Sequence, residues 1–340
     1  MSETVFTKVE DLARLPWFGL NEAGRITVTD PSVGPVIDMH THLALAFIMP
    51  MQHSLHRSSA ETQHYMPSCC SFDLDVYANK NMTHNHLKSL KRDLVIGGIT
   101  GLTPMRKTHT IPNLVREMDD LNVVKSVILA IDMQTGLSKN WFHAAQAAKD
   151  EPKLIGYGSV HPHDWGNIGD RLDTQAHAGC VGIKAHPMVQ GFRPDDPAAL
   201  DLFRLCGDRG LPMLIHCGPA GIEPPKRRAR LHVKFYEKAL ADNPKTTFIL
   251  GHAGALEWEA ALKLSLKYPN AYLEISSQSL SAVKQMVATA NPDRIVFGSD
   301  WPWYHQAWPL AKVCLATQDK PDIRTKILYR NAADLLKLEK

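Results

Sequence analysis

Two histidines end an apolar run near the N-terminus of the 340-residue chain, in the stretch VIDMHTHLALAF, residues 36–47. The run is typical of a buried β-strand, and side chains two positions apart on a strand lie on the same face. His40 and His42 could therefore bind one divalent cation from one side. The spacing alone is a weak signal, because two histidines at a strand end can simply be hydrogen-bonded. The metal hypothesis therefore needs further ligands.

Further polar residues close later apolar runs in the same way. They are Lys184 and His186 in CVGIKAHP, His216 in LPMLIHCG, His252 in TTFILGHAG and Asp300 in DRIVFGSD. Three imidazoles and one carboxylate around an open coordination position suit zinc, with iron, manganese or cobalt as alternatives. The predicted cofactor is one divalent metal ion, with zinc preferred. A second His-x-His pair, His84 and His86, is flanked by Lys, Asn and Met and follows no apolar run. We predict that this pair lies on the surface and binds no metal.

The apolar runs recur with a rhythm that indicates parallel βα units. They lie at residues 34–42, 125–132, 154–162, 180–187, 211–218, 246–254, 271–279 and 293–300. Helical patterns separate them, for example over 196–209, where Pro197 stands at a helix-start position. Eight such units predict one α/β domain over residues 1–340, a (β/α)8 TIM barrel, with a doubly wound open sheet as the alternative. In such a barrel the C-terminal ends of the strands carry the active site.

Residues 43–110 interrupt this rhythm after the first strand. Loops this long are uncommon unless they are functional or disordered, and the stretch LDVYANKNMTHNHLKSLKRDL has a helical pattern. We predict that residues 43–110 form a partly helical inserted lid over the barrel mouth.

Composition limits the partners. The net charge is +3, from 38 Lys and Arg against 35 Asp and Glu, which argues against nucleic acid or an anionic membrane as the main partner. The six cysteines lack CxxC spacing, the first residues lack the apolar core of a signal peptide, and no window approaches the roughly 20 apolar residues of a membrane span. These features predict a cytoplasmic protein that acts on a small molecule. Homodimer formation is left open.

The motifs IDMHTH, GIKAHP, LIHCG, LGHAG and FGSDWP, in this order at successive strand ends, resemble those of the amidohydrolase superfamily. The resemblance covers about residues 34–340 and is closest to the amidohydrolase-related branch of metal-dependent hydrolases, lactonases and aminocarboxymuconate semialdehyde decarboxylase-like enzymes. It implies that His40, His42 and His216 bind a metal, with Asp300 as a further ligand and proton acceptor. It also implies that His252 orients the water or acts as the acid or base.

For two residues, Lys184 and His186, the resemblance allows two alternative roles. In binuclear relatives a lysine on the fourth strand bridges two metals, so Lys184 could bridge a second metal or bind a substrate anion. His186 could be a ligand or part of the pocket wall. Asp38 is expected to support the site from one layer deeper.

Three residues near strand ends are candidates for substrate contact. Arg227, in PPKRRAR after the fifth strand, could bind a substrate carboxylate, although a solvated charge run is the alternative. Trp301 and Trp303 follow Asp300 and could form an aromatic wall or pack against the lid.

Three functions are compatible with these residues. The preferred one is hydrolysis of a lactone, ester or amide by a metal-activated water. The alternative on the same site is non-oxidative decarboxylation of an aromatic or unsaturated carboxylic acid. The third is a binding scaffold that has lost its catalytic activity. It is disfavoured because the five residues that the resemblance assigns to the metal site are all present: His40, His42, His216, His252 and Asp300.

Overall fold

Eight parallel strands form the centre of the computed structural model, which describes residues 4–338. The strands are β1 Val36–Thr41, β2 Val123–Leu129, β3 Leu154–Gly158, β4 Gly182–Ala185, β5 Met213–His216, β6 Phe248–Gly251, β7 Ala271–Glu274 and β8 Ile295–Val296. Each strand pairs with the next one along the chain. The two ends of the sheet meet where Thr41 bridges Trp301 and where the Met39 N–H donates to the Phe297 carbonyl over 3.0 Å. This closure confirms the (β/α)8 barrel and excludes the open sheet.

Helices lie between and around the strands, and most of them bury one face. The α-helices are His84–Thr100, Ile111–Asp120, Asn140–Asp150, Ile168–His177, Pro187–Gln190, Pro197–Asp208, Pro225–Arg228, Tyr236–Asp242, Trp258–Lys267, Leu280–Thr289, Ala307–Ala316, Pro321–Thr325 and Asn331–Leu335. The helix expected over 196–209 begins at Pro197, buries Leu202 and Phe203, and is followed by Gly210 with a left-handed φ of 63°. Proline at the start and glycine after the end are the usual boundary signals of a helix, and here they predicted the element correctly.

Two large apolar clusters and a small third one, formed by Tyr77, Ala220 and Ala255, make up the core of the described residues. One, to which six of the strands contribute, lies inside the ring and includes Met39, Leu129, Tyr157 and Leu214. The larger cluster lies between the strands and the helices. The short antiparallel pairs Val5–Phe6 with Phe72–Asp73 and Phe18–Leu20 with Ile26–Val28 lie outside the barrel and had not been predicted. Among the described residues, no helix combines the length and the apolar character needed to cross a bilayer.

The segment 43–110, here called the insertion, contains one long helix, His84–Thr100. Thr83 caps this insertion helix by accepting a hydrogen bond from the His86 N–H over 3.3 Å. The insertion is attached to the barrel loops: the Ala78 N–H donates to Ser277 over 2.8 Å, and the Asn79 amide donates to the Ala220 carbonyl over 3.2 Å. These bonds hold the insertion beside the C-terminal ends of the strands. Its action as a lid stays a prediction.

Candidate active site

His40, in β1, and His42, directly after it, are here called the β1 histidines, and both face one carboxylate. The Nε2 atoms of His40 and His42 lie 3.6 and 3.7 Å from the same oxygen, Oδ1 of Asp300. Nδ1 of His42 donates to the Leu129 carbonyl over 2.8 Å, and Nδ1 of His40 lies 2.6 Å from Glu274. Because these bonds occupy Nδ1, both rings present the Nε2 lone pair to the same point.

Three more imidazoles continue from this pair around the mouth of the barrel. Ring centroids are 4.7 Å apart for His40 and His252, and 4.8 Å apart for His252 and His216. His186 stacks on His216 at 4.1 Å with an interplanar angle of 11°. Candidate ligand atoms of His40, His252 and Asp300 all lie within 4.8 Å of one another. His252 is therefore close enough to His40 and Asp300 to share a metal ion with them.

The backbone at two of these residues is held in an unusual conformation. Asp300 and His252 have φ angles of 62° and 56°, in the left-handed region. For residues other than glycine this region costs roughly 1–2 kcal/mol. Such strain persists only where surrounding contacts fix it, and it is commonly found at functional sites.

Burial keeps the imidazoles neutral. It lowers the pKa of His42 and of His216 to about 3, and it lowers that of His40 well below the usual histidine range. Burial also raises the pKa of Asp300 well above its ordinary value, although the nearby Lys184 opposes this rise. Neutral imidazole is the form of histidine that binds metal ions.

Lys184 lies at the centre of the cluster. Its Nζ donates to Nε2 of His40 over 3.1 Å, and burial lowers its pKa to about 8. The Lys184 ammonium group therefore occupies the Nε2 lone pair of His40 that a metal ion would otherwise bind. The bond shows that this lone pair points into the site.

The donor set fits a divalent cation. Among the described residues, the buried Nε2 of His216 and Nδ1 of His186 have no hydrogen-bond partner. A buried polar atom without a partner is costly, and coordination to a metal would remove that cost. Nitrogen donors with one carboxylate match zinc, manganese or iron better than calcium or magnesium.

Glu274, the last residue of β7, had not been singled out. It is completely buried and accepts hydrogen bonds from Nδ1 of His40 over 2.6 Å and from the His252 N–H over 3.0 Å. It also accepts from the Ser276 hydroxyl over 2.9 Å, and Ser276 lies 2.8 Å from Nδ1 of His252. A carboxylate behind a metal-binding histidine fixes the ring and raises its basicity. The available signal was its place at a strand end, like the residues that had been predicted.

Asp38 supports the site from behind, as expected. Its carboxylate accepts from the backbone N–H groups of His40 and Ser299 over 3.0 and 2.9 Å and from the Gln306 amide over 2.7 Å. These bonds join β1 to the loop that follows β8.

A cavity of about 410 Å³ opens above the cluster and reaches the insertion. The predicted residues that line it are His40, His42, Lys184, His186, His216, Arg227, His252, Asp300 and Trp303. The prediction that Trp301 contacts the substrate is wrong, because Trp301 does not line this cavity. Its indole is fully buried and donates to Glu117 over 3.0 Å. The aromatic wall comes instead from Trp303 and Tyr65, whose rings are tilted by 43° with centroids 4.6 Å apart.

His84 and His86 lie in the insertion helix, away from this cluster. Nδ1 of His86 accepts from the Thr83 N–H over 3.3 Å, and Nε2 lies 3.6 Å from the sulfur of Cys70. Neither residue lines the cavity.

Several solved structures have a similar barrel, and three of them carry the names of enzymes for small organic acids. A 5-carboxyvanillate decarboxylase from Novosphingobium aromaticivorans, complexed with manganese and 4-hydroxy-3-methoxy-5-nitrobenzoic acid, is 15% identical, with a TM-score of 0.58 over 91% of this chain and 98% of the other. A 2,6-dihydroxybenzoate decarboxylase from Rhizobium is 14% identical, with a TM-score of 0.55 over 89% and 100%. A probable 2-pyrone-4,6-dicarboxylic acid hydrolase from Acinetobacter baumannii, with bound citric acid, is 14% identical, with a TM-score of 0.53 over 89% and 99%. At these identities the likeness shows the fold.

Sequence comparison identifies the family. A comparison with curated protein sequences finds no match. The model of the amidohydrolase family, by contrast, matches residues 37–338, from β1 to the end of the last helix. The match includes all the histidines and the aspartate that the barrel brings together, and it confirms the resemblance seen in the motifs. The chain therefore belongs to the amidohydrolase family.

Proposed function

We propose that this protein is a metal-dependent hydrolase of a small organic lactone, ester or amide. One observation carries the proposal: His40, His42 and His252 surround the Asp300 carboxylate in a cavity large enough for a small molecule, and His216 lies beside His252 in the same cavity. His40, His42 and His216 would hold the metal together with Asp300. Zinc is the proposed ion, although the decarboxylase from Novosphingobium aromaticivorans is complexed with manganese.

A divalent ion bound here would polarise a substrate carbonyl and lower the pKa of a water molecule to near 7. Side chains of the protein would carry out the proton transfer and orient the reacting groups. Asp300 accepts the proton of the attacking water, because its carboxylate lies beside the Nε2 atoms of both β1 histidines. His252 donates from Nδ1 to Ser276, whose hydroxyl donates to Glu274, so its Nε2 lone pair faces the reaction centre. Lys184, His186, Trp303 and Arg227 are proposed to contact the substrate.

Decarboxylation of an aromatic or unsaturated carboxylic acid is the second candidate. Two of the three related structures described above are decarboxylases of aromatic acids, and the cavity above the cluster is lined largely by apolar side chains. The same metal ligands would serve, with the substrate carboxylate held near Lys184 and a proton delivered to carbon by Asp300 or His252. Either reaction could also use two metal ions bridged by Lys184. The number of metal ions bound per chain distinguishes this arrangement from a single-metal site.

Metal analysis followed by product analysis tests both candidates. We expect one equivalent of a divalent metal in the purified protein and its loss in His40→Ala. The matched control is His84→Ala, the first histidine of the second His-x-His pair, and it should keep the metal. A panel of lactones, esters, amides and aromatic acids is then assayed in ¹⁸O-labelled water. Label in an acid product supports hydrolysis, whereas CO₂ release without label in the organic product supports decarboxylation. A metal-free protein, or loss of metal in both variants, contradicts the proposal.

A further inference from the structure

The apolar lining of the cavity continues to the solvent. Val95 and Ile99 of the insertion helix are 63% and 41% exposed, and Ile48 beside them is 55% exposed. All three also line the cavity above the histidine cluster. Ile48 is held next to the helix because the backbone N–H groups of Phe47 and Met49 donate to carbonyls of Gly98 and Ile99 over 2.7 and 3.1 Å. The part of the cavity formed by Ile48, Val95 and Ile99, here called the tail groove, therefore opens to the surface with apolar walls.

The charged and polar groups along the same wall are already paired. Nε of Arg106 donates to Asp93 over 2.8 Å, and Nε2 of His109 lies 2.9 Å from the Gln63 carbonyl. The Asn79 amide donates to Ala220 and accepts from the Tyr304 hydroxyl. Among the described lining residues away from the histidine cluster, Arg227 at the rim is the cation without such a partner. The wall therefore offers a bound molecule mainly apolar contact.

We propose that the tail groove binds an apolar tail of the substrate, an alkyl or aryl group, while the reacting carbonyl or carboxylate lies at the histidine cluster. This inference rests on the proposed function for the position of the polar end. The exposed apolar patch consists of Ile48, Met49, Val95, Ile96, Ile99 and Leu102. The occupant is a ligand and not a protein partner because Ile48, Val95 and Ile99 of this patch also line the cavity that contains the histidine cluster. The patch is therefore continuous with the site at which a small molecule would react.

The groove predicts a dependence on chain length. Each methylene group that moves from water into an apolar groove strengthens binding by about fourfold, from the transfer free energy of one buried CH₂ group. Affinity should therefore rise with each added carbon until the tail reaches the rim at Val95, and then level off. A polar site that recognises only the reacting group would show no such rise.

The test uses unbranched alkanoates, from butyrate to decanoate, titrated calorimetrically into the metal-loaded protein. We expect the dissociation constant to fall about fourfold per methylene over the first part of the series. This measurement does not depend on turnover, so it separates the two proposals. A flat series in a protein that binds metal and turns over short substrates overturns the tail groove alone. A metal-free, inactive protein contradicts the proposed function, whatever the alkanoate series shows.

Polar substitutions in the tail groove test where the tail lies. Val95→Asp should reduce the ratio of decanoate to butyrate affinity at least tenfold, because the carboxylate removes several methylene contacts. Ile99→Thr is the milder second variant, for which we expect a smaller loss in the same direction. The matched control is Leu266→Asp, at a residue that is 53% exposed on the outer helix Trp258–Lys267. An equal loss in the control, or a change in oligomeric state without a change in decanoate affinity, would overturn the proposal.

Discussion

Replacing Glu274 by Gln tests what the buried carboxylate contributes to metal binding. Its two oxygens accept from Nδ1 of His40, from the His252 N–H, and from the backbone and hydroxyl of Ser276. Gln has the same shape but only one acceptor oxygen and no charge. The amide NH₂ must then face at least one of the N–H donors that the carboxylate now satisfies.

Two magnitudes follow from this geometry. Loss of a carboxylate partner of a ligating histidine lowers metal affinity about 10–100-fold, or roughly 1.4–2.8 kcal/mol. The donor left without an acceptor lowers the free energy of unfolding by about 1–3 kcal/mol. Both effects should appear together in Glu274→Gln, because the same carboxylate serves the ligand and the backbone.

Metal affinity is measured by competition with a chromogenic chelator, and the free energy of unfolding by urea titration. The matched control is Glu257→Gln, because Glu257 also pairs with a histidine, His232, and also accepts from a backbone N–H. That pair is partly exposed and outside the cavity lining, so the control should keep its metal affinity. If Glu274→Gln folds and binds metal as tightly as the wild type, the assigned role of Glu274 is refuted.

Three further variants test the packing around the site. Trp301→Phe removes the indole donor to Glu117 and should lower the free energy of unfolding by about 1–3 kcal/mol; an unchanged urea midpoint would contradict this. Leu202→Ala, at a fully buried position, should cost about 2–5 kcal/mol in guanidinium unfolding while metal affinity stays the same. Burial lowers the pKa of Lys312 from 10.5 to about 7, so the native state loses this proton at lower pH than the unfolded state. The free energy of unfolding should therefore rise between these two pKa values by up to about 1.4 kcal/mol per pH unit, and Lys312→Met should lack that rise. Parallel stability curves of wild type and variant against pH would disprove the assignment.

The barrel could be predicted from the sequence because its signals are local. Each strand is a short apolar run ended by a polar residue, and the eight runs coincide with the eight strands of the ring. Even β8, only two residues long, was found from its run DRIVFGSD. Closure of the ring then brings His40 and Asp300 together without further information, because the ends of parallel strands meet at one face.

The insertion was predicted less completely. The helical pattern over residues 74–94 overlaps the helix His84–Thr100 only over residues 84–94, because residues 74–83 form turns and a short 3-10 helix. The bonds from Ala78 to Ser277 and from Asn79 to Ala220 were not predictable, because nothing in a polar segment marks which distant loop it will contact.

By itself the sequence determined which residue types stand at the strand ends, and so which atoms are available to hold a metal. Only the tertiary structure decided how those atoms are used. It assigned Nδ1 of His40 to Glu274, a residue 234 positions away, and it turned the Trp301 indole towards Glu117 and out of the cavity. The physical reason is that strand formation follows from neighbouring residues, whereas the orientation and protonation of a buried side chain depend on partners that only folding brings within hydrogen-bonding distance.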